Sequence, residues 1–255
     1  MNDKAITTIV FSDLDGTLLD NNYSYEVPSL VITQLKALNV TFVVCSSKTR
    51  LEIEYFRAKL KIDDPFISEN GAAIFVPLGY FETDHNWTRK TNQYDIVELG
   101  IPYFLIRKKF KRIRKTCTHE IIGFGDMTPE KIAKETGLTI ELAELAKQRE
   151  YTEPFRHNEL YEEELCKAIR KEKLHFTIGG KYHHLMGDHN KGKAVLLLKE
   201  LFSKRFKQIR TVGVGNQIND AEMLAAVDMS FFIAKPEDIP SEWKKIINVI
   251  SNLSP

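Results

Sequence analysis

The sequence has few cysteines and almost no net charge. Among its 255 residues there are 3 cysteines (Cys45, Cys117 and Cys166), and none of them forms a CxxC pair. Their number and spacing give neither a disulfide framework nor a zinc site, and they favour a reducing, cytoplasmic location. The formal net charge is +1, so no overall field draws the chain to nucleic acid or to an anionic membrane.

Long apolar segments are missing as well. No run approaches the roughly 18 apolar residues that a membrane-spanning helix needs. The first residues lack the apolar core and the cleavage site of a signal peptide. We therefore expect a cytoplasmic protein that binds neither membranes nor nucleic acid. With 43% hydrophobic and 28% charged residues, the composition is that of a globular protein with a buried core.

One segment is strongly basic. Residues 107–115 carry seven basic side chains in nine positions, which would suit a nucleic-acid patch. However, Phe104, Ile106, Phe110 and Ile113 are spaced like the buried stripe of a helix. Because a net charge near zero removes the long-range attraction that nucleic-acid binding needs, we predict a helix whose basic face lies on the surface.

Much of the chain alternates between strand and helix patterns. Residues 8–12 and 41–45 are β-branched, apolar runs typical of buried parallel strands. Helical spacing follows them at 28–39 and 50–60. This alternation predicts an α/β fold with a parallel sheet and right-handed crossovers.

The middle of the chain has a different character, with more helical segments and denser charge. Thr128, Pro129 and Gly137 are placed to cap, start and end one helix. A second helix is predicted at 139–151. Gly179-Gly180 is predicted to be the turn of a hairpin.

These patterns predict two domains. Residues 1–84 and 185–255 would form the parallel-sheet core, and residues 85–184 would form an inserted α+β domain. An insert of this kind can close over a site on the core and exclude water from it.

The sharpest motif is Asp13-Leu14-Asp15-Gly16-Thr17, directly after the first predicted strand. In α/β sheets ligands collect at the carboxyl ends of the strands, and both carboxylates fall there. An Asp-Gly pair alone would mark only a loop. Two carboxylates two residues apart after a buried strand indicate instead a site where a side chain binds a cation while another group approaches the substrate.

The motif resembles that of the haloacid dehalogenase superfamily of phosphotransferases. The resemblance implies a Rossmann-like parallel-sheet core with a cap domain, a Mg²⁺ cofactor and an aspartyl-phosphate intermediate. It makes Asp13 the nucleophile and Asp15 the general acid and base. Both would bind Mg²⁺, Asp13 through its carboxylate and Asp15 through its backbone carbonyl. The cation is needed because a carboxylate and a dianionic ester repel each other.

Two further elements of the family follow in order. Ser46, after the second predicted strand, matches the hydroxyl that binds the transferring phosphoryl group, although Ser46 or Ser47 could also cap the next helix. Lys191 matches the lysine that neutralises the phosphate and the nucleophile. By itself, Lys191 would be one of many lysines at the start of a helix.

The last motif departs from the family pattern. Residues 215–220 read GNQIND where the usual form is GDxxND, so Asn216 stands in place of an aspartate ligand. An amide oxygen can still bind Mg²⁺, but a negative charge is lost. We predict a magnesium site of lowered affinity formed by Asp13, Asp15, Asn216 and Asp220.

One group of the superfamily, the mannosyl-3-phosphoglycerate phosphatases, is similar in five stretches: SSKTR (46–50), PFISENGAAIF (65–75), REYTEP (149–154), GGKYHH (179–184) and NKGKA (190–194). The resemblance implies a glycosyl-3-phosphoglycerate substrate, whose phosphate and carboxylate suit arginine and lysine. The predicted substrate-binding residues are Ser47, Lys48, Arg50, Asn70, Arg149, Glu150, Gly180, Lys181 and His183.

Some of these assignments have plain alternatives. Arg149 and Glu150 could be an exposed helix end. His183 and His184 alternate on a predicted strand, so at most one of them faces the site.

Two other functions remain open. A phosphatase for another hexose phosphate or for sucrose phosphate would carry the same motifs. A non-catalytic protein that binds sugar phosphates would result if Asn216 prevented metal binding. In each case the partner is a small phosphorylated sugar or glycerate, and we expect a monomer or a weak homodimer.

Overall fold

The computed structural model describes residues 6–82 and 85–253, which form two sheets with flanking helices. No helix within these ranges is both long and apolar enough to cross a membrane. The first part of the chain forms β1 (Thr7–Ser12), α1 (Glu26–Ala37), β2 (Thr41–Cys45), α2 (Arg50–Leu60), β3 (Phe66–Ser68), β4 (Ala73–Pro77), β5 (Arg89–Lys90) and β6 (Tyr94–Glu98).

The strands of the middle part of the chain form the smaller sheet, and those of the last part return to the larger sheet. The middle forms α3 (Tyr103–Thr116), β7 (Ile122–Gly123), α4 (Pro129–Thr136), α5 (Ile140–Lys147), β8 (Glu153–Arg156), α6 (Glu162–Lys171), β9 (His175–Gly179) and β10 (Tyr182–Met186). The last part forms α7 (Lys191–Arg205), β11 (Ile209–Gly215), α8 (Ala221–Ala225), β12 (Met229–Phe232) and α9 (Ile239–Leu253).

The larger sheet has the strand order β12-β11-β1-β2-β3-β4-β6-β5. Its first five strands are parallel, and the last three are added antiparallel at one edge. Alternate residues of β1 enter two separate cores, since Val10 packs on one face and Phe11 on the other. Burial on both faces explains the continuous apolar runs of the central strands, and the predicted α/β fold is confirmed.

The start of the predicted insert lies with the core sheet. β6 pairs with β4, for example Ile96 with Phe75, and β5 pairs with β6. These strands are short and polar, so their sequence gave little strand signal. The first predicted boundary is at residue 84, and residues 83 and 84 lie outside the described ranges. We propose that the inserted domain spans about residues 101–187, because β10, which contains the predicted second boundary, belongs to the smaller sheet.

The smaller sheet has the order β7-β8-β10-β9, with antiparallel pairing throughout. The predicted hairpin at Gly179-Gly180 is confirmed as the β9–β10 connection. The basic segment lies on α3, whose buried side chains Ile106, Phe110 and Ile113 face this sheet. Phe104 is 70% exposed, so its predicted place in the buried stripe is wrong.

Two helices begin or end elsewhere than predicted. α1 begins at Glu26, two residues before the proline that was expected to start it. α5 ends at Lys147 rather than near 151, since Gln148 (ψ 57°) leaves the helical conformation. The caps of α4 follow the prediction: Thr128 accepts from the N–H of Lys131, and Gly137 ends the helix with a positive φ.

Candidate active site

The carboxyl end of β1 places the DLDGT motif at the centre of the larger sheet. The N–H of Asp13 donates to the carbonyl of Val214, near the end of β11 (3.0 Å). Gly16 has a φ of +69°, and a Cβ there would lie 2.2 Å from Nδ2 of Asn216. A residue without a side chain is therefore required for the first loop to approach the loop of the last motif.

The ammonium of Lys191 contacts a carboxylate near each of these two loops. Lys191 is the first residue of α7 and is wholly buried, with Nζ 3.1 Å from Oδ1 of Asp13 and 2.6 Å from Oδ1 of Asp220. Burial acts to lower the pKa of Lys191, but the two carboxylates raise it above its ordinary value. Burial raises the pKa of Asp13 to about 6, and Lys191 opposes that rise. Two carboxylates facing one ammonium leave a net negative charge, which a further cation can neutralise.

Asp220 is used to hold the loop that follows β11. Its Oδ1 contacts Lys191, and its Oδ2 accepts from the N–H groups of Asn216 (2.9 Å) and Gln217 (3.0 Å). Because these contacts use most of its acceptor capacity, we propose a positioning role for Asp220 instead of the predicted direct contact with the metal.

Carboxylate and amide oxygens of the two loops could hold the implied magnesium. Oδ1 of Asn216 is buried and accepts no hydrogen bond from the part of the chain that the structure describes. Oδ1 of Asp13 is buried as well, and the ammonium of Lys191, 3.1 Å away, is its described partner. Buried polar atoms without a hydrogen bond are uncommon, and oxygen atoms are the ligands that Mg²⁺ prefers. The residues present therefore fit this ion.

A second ion cluster surrounds Asp15, whose side chain is 41% exposed. Nζ of Lys48 lies 2.9 Å from Oδ2 of Asp15 and 3.4 Å from Glu52 and from the Tyr23 hydroxyl. Burial acts to lower the pKa of Lys48, but Asp15 and Glu52 raise it well above its ordinary value. Sequence reasoning missed Tyr23 and Glu52. Glu52, four residues after Lys48, had a detectable spacing, whereas Tyr23 lies in no motif.

Ser46 is buried directly after β2. Its Oγ accepts from the N–H of Lys48 (3.4 Å), and its carbonyl accepts from the N–H of Asn70. The cap of α2 is neither Ser46 nor Ser47 but Thr49, which accepts from the N–H of Glu52. This leaves both serines available for another purpose.

A cavity of about 470 Å³ lies between these loops and the inserted domain. The predicted site residues in its wall are Asp15, Ser47, Lys48, Arg149, Gly180, Lys181 and Asn216. Asp13, Ser46, Lys191 and Asp220 are not among its lining residues, and each is more than nine-tenths buried. The structure thus brings the motifs that were predicted to be catalytic close to part of the predicted substrate-binding set.

Four predicted substrate-binding residues are not in the wall. Arg50 and Glu150 pair with each other (2.9 Å), joining α2 to the inserted domain. Asn70 accepts from Nδ2 of Asn219. His183 points to the opposite side of β10. Its neighbour His184 lines the cavity instead, and burial lowers the pKa of His184 to about 3.

Glu69 fastens the inserted domain to the core and was missed by sequence reasoning. Its carboxylate accepts from the N–H groups of Glu150, Tyr151 and Thr152. Arg149, beside them, donates to the carbonyl of Ser47 (2.8 Å). These contacts link residues about eighty positions or more apart, so no local pattern could indicate them. They place Arg149 in the cavity wall.

Comparison with known proteins agrees with this architecture. The model of the haloacid dehalogenase-like hydrolases matches residues 10–239. The chain belongs to this family. A solved structure described as a HAD subclass IIB sugar phosphatase superposes with a TM-score of 0.62 at 17% identity, covering 97% of this chain and 99% of that one. The predicted fold is thus confirmed.

Two relatives with known activities are similar over most of their length. A glucosyl-3-phosphoglycerate/mannosyl-3-phosphoglycerate phosphatase of Methanococcoides burtonii is 41% identical over 232 residues, which is 90% of this chain and 85% of the relative. A mannosyl-3-phosphoglycerate phosphatase of Pyrococcus horikoshii is 36% identical, covering 88% of this chain and 90% of the relative. The family makes this chain an enzyme, and the names of its relatives indicate a phosphatase.

Proposed function

We propose that this chain is a cytoplasmic, magnesium-dependent phosphatase that hydrolyses mannosyl-3-phosphoglycerate, or a close glycosyl-3-phosphoglycerate, through an aspartyl-phosphate. The observation that carries the proposal is the buried Asp13–Lys191–Asp220 cluster at the end of β1. Oxygen atoms without hydrogen bonds lie beside it. A nucleophilic carboxylate needs a fixed counter-charge of this kind.

The proposed reaction has two steps. A carboxylate oxygen of Asp13 attacks phosphorus, the ester P–O bond breaks, and Asp15 gives its proton to the leaving glycerate oxygen. Water, giving its proton to Asp15, then attacks the phosphorus of the aspartyl-phosphate, so that phosphate leaves and Asp13 is restored. When bound, Mg²⁺ reduces the repulsion between the carboxylate and the phosphate. Lys191 neutralises Asp13 throughout, and Ser46 supplies a hydroxyl near the phosphoryl group.

The substrate class is supported by the charges in the cavity wall. Lys48 and Arg149 are buried cations with carboxylate partners. Lys181, on the β9–β10 turn, is exposed and makes no ion pair with the described residues. A phosphoglycerate group brings two anionic groups that such cations can bind, and the relatives named above act on glycosyl-3-phosphoglycerates.

The substrate is tested by phosphate release from a panel of esters at saturating Mg²⁺. We expect kcat/KM for mannosyl- or glucosyl-3-phosphoglycerate to exceed that for mannose 6-phosphate and sucrose 6-phosphate by about 10- to 100-fold. This corresponds to one lost charge-assisted hydrogen bond to the glycerate carboxylate, about 1.5–3 kcal/mol. Equal values across the panel would reject the glycerate ester and favour a general sugar phosphatase.

Position 216 gives a separate prediction. Because an aspartate restores a negative charge beside the implied cation, Asn216→Asp is expected to lower the Mg²⁺ concentration for half-maximal rate by about tenfold or more, the equivalent of about 1.4 kcal/mol. The measurement is a Mg²⁺ series with both proteins. As a control, Asn248→Asp makes the same change on the exposed face of α9.

Two outcomes of that series would contradict parts of the proposal. Identical Mg²⁺ requirements for the two proteins would show that residue 216 does not contact the metal. No phosphate release from either protein at any Mg²⁺ concentration would support the non-catalytic binding protein instead.

A further inference from the structure

Two histidines and a glutamate form a cluster on the face of the smaller sheet that points away from the cavity. The imidazoles of His157 and His183 and the carboxylate of Glu162 each offer a ligand atom, and these three atoms lie within 4.8 Å of one another. His157 follows β8, His183 lies on β10 and Glu162 begins α6, so three elements of the inserted domain meet here.

The ring of His157 is held in the form that a metal needs. Its Nδ1 lies 3.0 Å from the carbonyl oxygen of Asn158. A carbonyl can only accept, so Nδ1 carries the hydrogen and the lone pair of the neutral ring is on Nε2. In metal sites, a hydrogen bond at the second ring nitrogen orients the histidine in this way.

The Nε2 atom of His157 has no ordinary use in the fold. The side chain is 0% exposed, and Nε2 makes no hydrogen bond with any described residue. It nevertheless lies 3.3 Å from Oε2 of Glu162. A nitrogen lone pair facing a carboxylate oxygen is repulsive unless a cation lies between them.

The spacing suits a tetrahedral ion. With metal–ligand distances of about 2.0–2.2 Å, two ligand atoms of tetrahedral Zn²⁺ lie about 3.4 Å apart. The His157–Glu162 separation already has this value, and the remaining separations need to shorten by at most about 1.4 Å. Both remaining separations involve His183, which is only half-buried, so rotation of its side chain can supply such a change.

We propose that His157, Glu162 and His183 form a binding site for Zn²⁺ or a similar borderline divalent ion, separate from the magnesium position. Imidazole nitrogens favour zinc, whereas the oxygens at Asp13 and Asn216 favour magnesium. Two histidines and one carboxylate, with a water as fourth ligand, are a known zinc ligand set. The ion would fasten the segment after β8 to β10, whose next residue, His184, lines the cavity.

A proton on Nε2 is the competing explanation for the short His157–Glu162 distance. It would make an ordinary ion pair. His183, however, stands close to the same nitrogen, with its ring centroid 4.6 Å from that of His157, and would gain nothing from that pair. A shared metal ion uses all three groups, and direct measurement of zinc binding separates the two explanations.

The test is a Zn²⁺ titration of the full chain, freed of metal with a chelator and kept in excess Mg²⁺. Competition with a chromophoric chelator is expected to show one Zn²⁺ bound with a Kd of about 1 μM or tighter. Glu162→Gln and His183→Ala are each expected to weaken it by at least about 10- to 100-fold. Co²⁺ in place of Zn²⁺ should give the intense visible absorption of a four-coordinate ion, and both variants should lose it.

A control variant and a check of folding accompany this titration. His175→Ala removes an exposed histidine of β9 and should leave Zn²⁺ affinity unchanged. Because Glu162 is partly exposed, Glu162→Gln should fold normally, and circular dichroism checks this. Unchanged Zn²⁺ affinity in both variants, or no binding in the micromolar range by the original chain, would overturn the proposal.

Discussion

Asp13→Asn is expected to reduce kcat for phosphate release by about 10⁴-fold or more, the scale of loss seen when an enzyme loses its nucleophile. The amide is nearly the same size and can remain beside Lys191, so the fold should be kept. What disappears is the carboxylate oxygen that would form the bond to phosphorus. We expect the affinity for substrate to change much less than kcat, because the cavity wall is built from other residues.

Activity alone would not distinguish a nucleophile from a metal ligand, so the intermediate must be measured. After acid quenching with ³²P-labelled substrate, the original chain should carry label in an acid-stable, hydroxylamine-sensitive bond. Asp15 serves both steps, so its effect on the second is isolated with ³²P-labelled p-nitrophenyl phosphate, whose phenolate leaves without a proton. With this ester, Asp15→Asn is expected to accumulate more label per active site, because Asp15 activates the water of the second step. The doubly substituted chain, with Asp13→Asn added, should carry none.

Asp188→Asn is the matched control for this experiment. It makes the same change at a side chain that is 84% exposed and paired with Lys193, and kcat should stay within about twofold of the original value. Label retained in the Asp13→Asn chain would show that another residue is the nucleophile. That result would leave the family and the fold intact but would remove the proposed mechanism.

Features that depend on residues close together in the chain could be predicted from the sequence, whereas features that depend on residues far apart in the chain could not. β1 and β2 are buried on both faces, so their apolar runs are unmistakable, and the DLDGT loop necessarily falls at the sheet edge where ligands bind. β5 and β6 are an antiparallel edge extension with few buried positions, and such strands give a weak pattern. This weak pattern is why the boundary predicted from the sequence lies before β5, whereas we propose that the inserted domain begins after β6.

The site shows the same division. Asp15, Lys48 and Asn216 line the cavity, and each lies in a loop directly after a central strand, a place that a local pattern can indicate. Arg50 and Glu150 do not line it, since their charges are used in a pair between residues 100 positions apart. Choosing between His183 and His184 required the register of β10 against β8, which pairs His184 with Pro154. Register is set by partners that the local sequence does not contain.

Lys191→Met is expected to have the largest effect on stability. The ammonium is wholly buried between Asp13 and Asp220, so its removal leaves two carboxylates close together with no counter-charge. Breaking a buried pair in this way costs about 3–5 kcal/mol in the free energy of unfolding, against a typical total of about 5–15 kcal/mol. We also expect kcat to fall by about 10²- to 10³-fold, because a fixed positive charge beside the phosphoryl group is lost.

Lys193→Met provides the comparison, since it makes the same change two residues later on α7. Lys193 is 49% exposed and pairs only with Asp188 at the surface, so the free energy of unfolding should change by less than about 1 kcal/mol. Urea unfolding followed by circular dichroism measures both variants, and added Mg²⁺ should recover part of the loss in Lys191→Met by neutralising the same carboxylates. Equal stability and equal kcat in the two variants would mean that Lys191 does not hold Asp13 and Asp220 in place, and the electrostatic basis of the proposed nucleophile would then be lost.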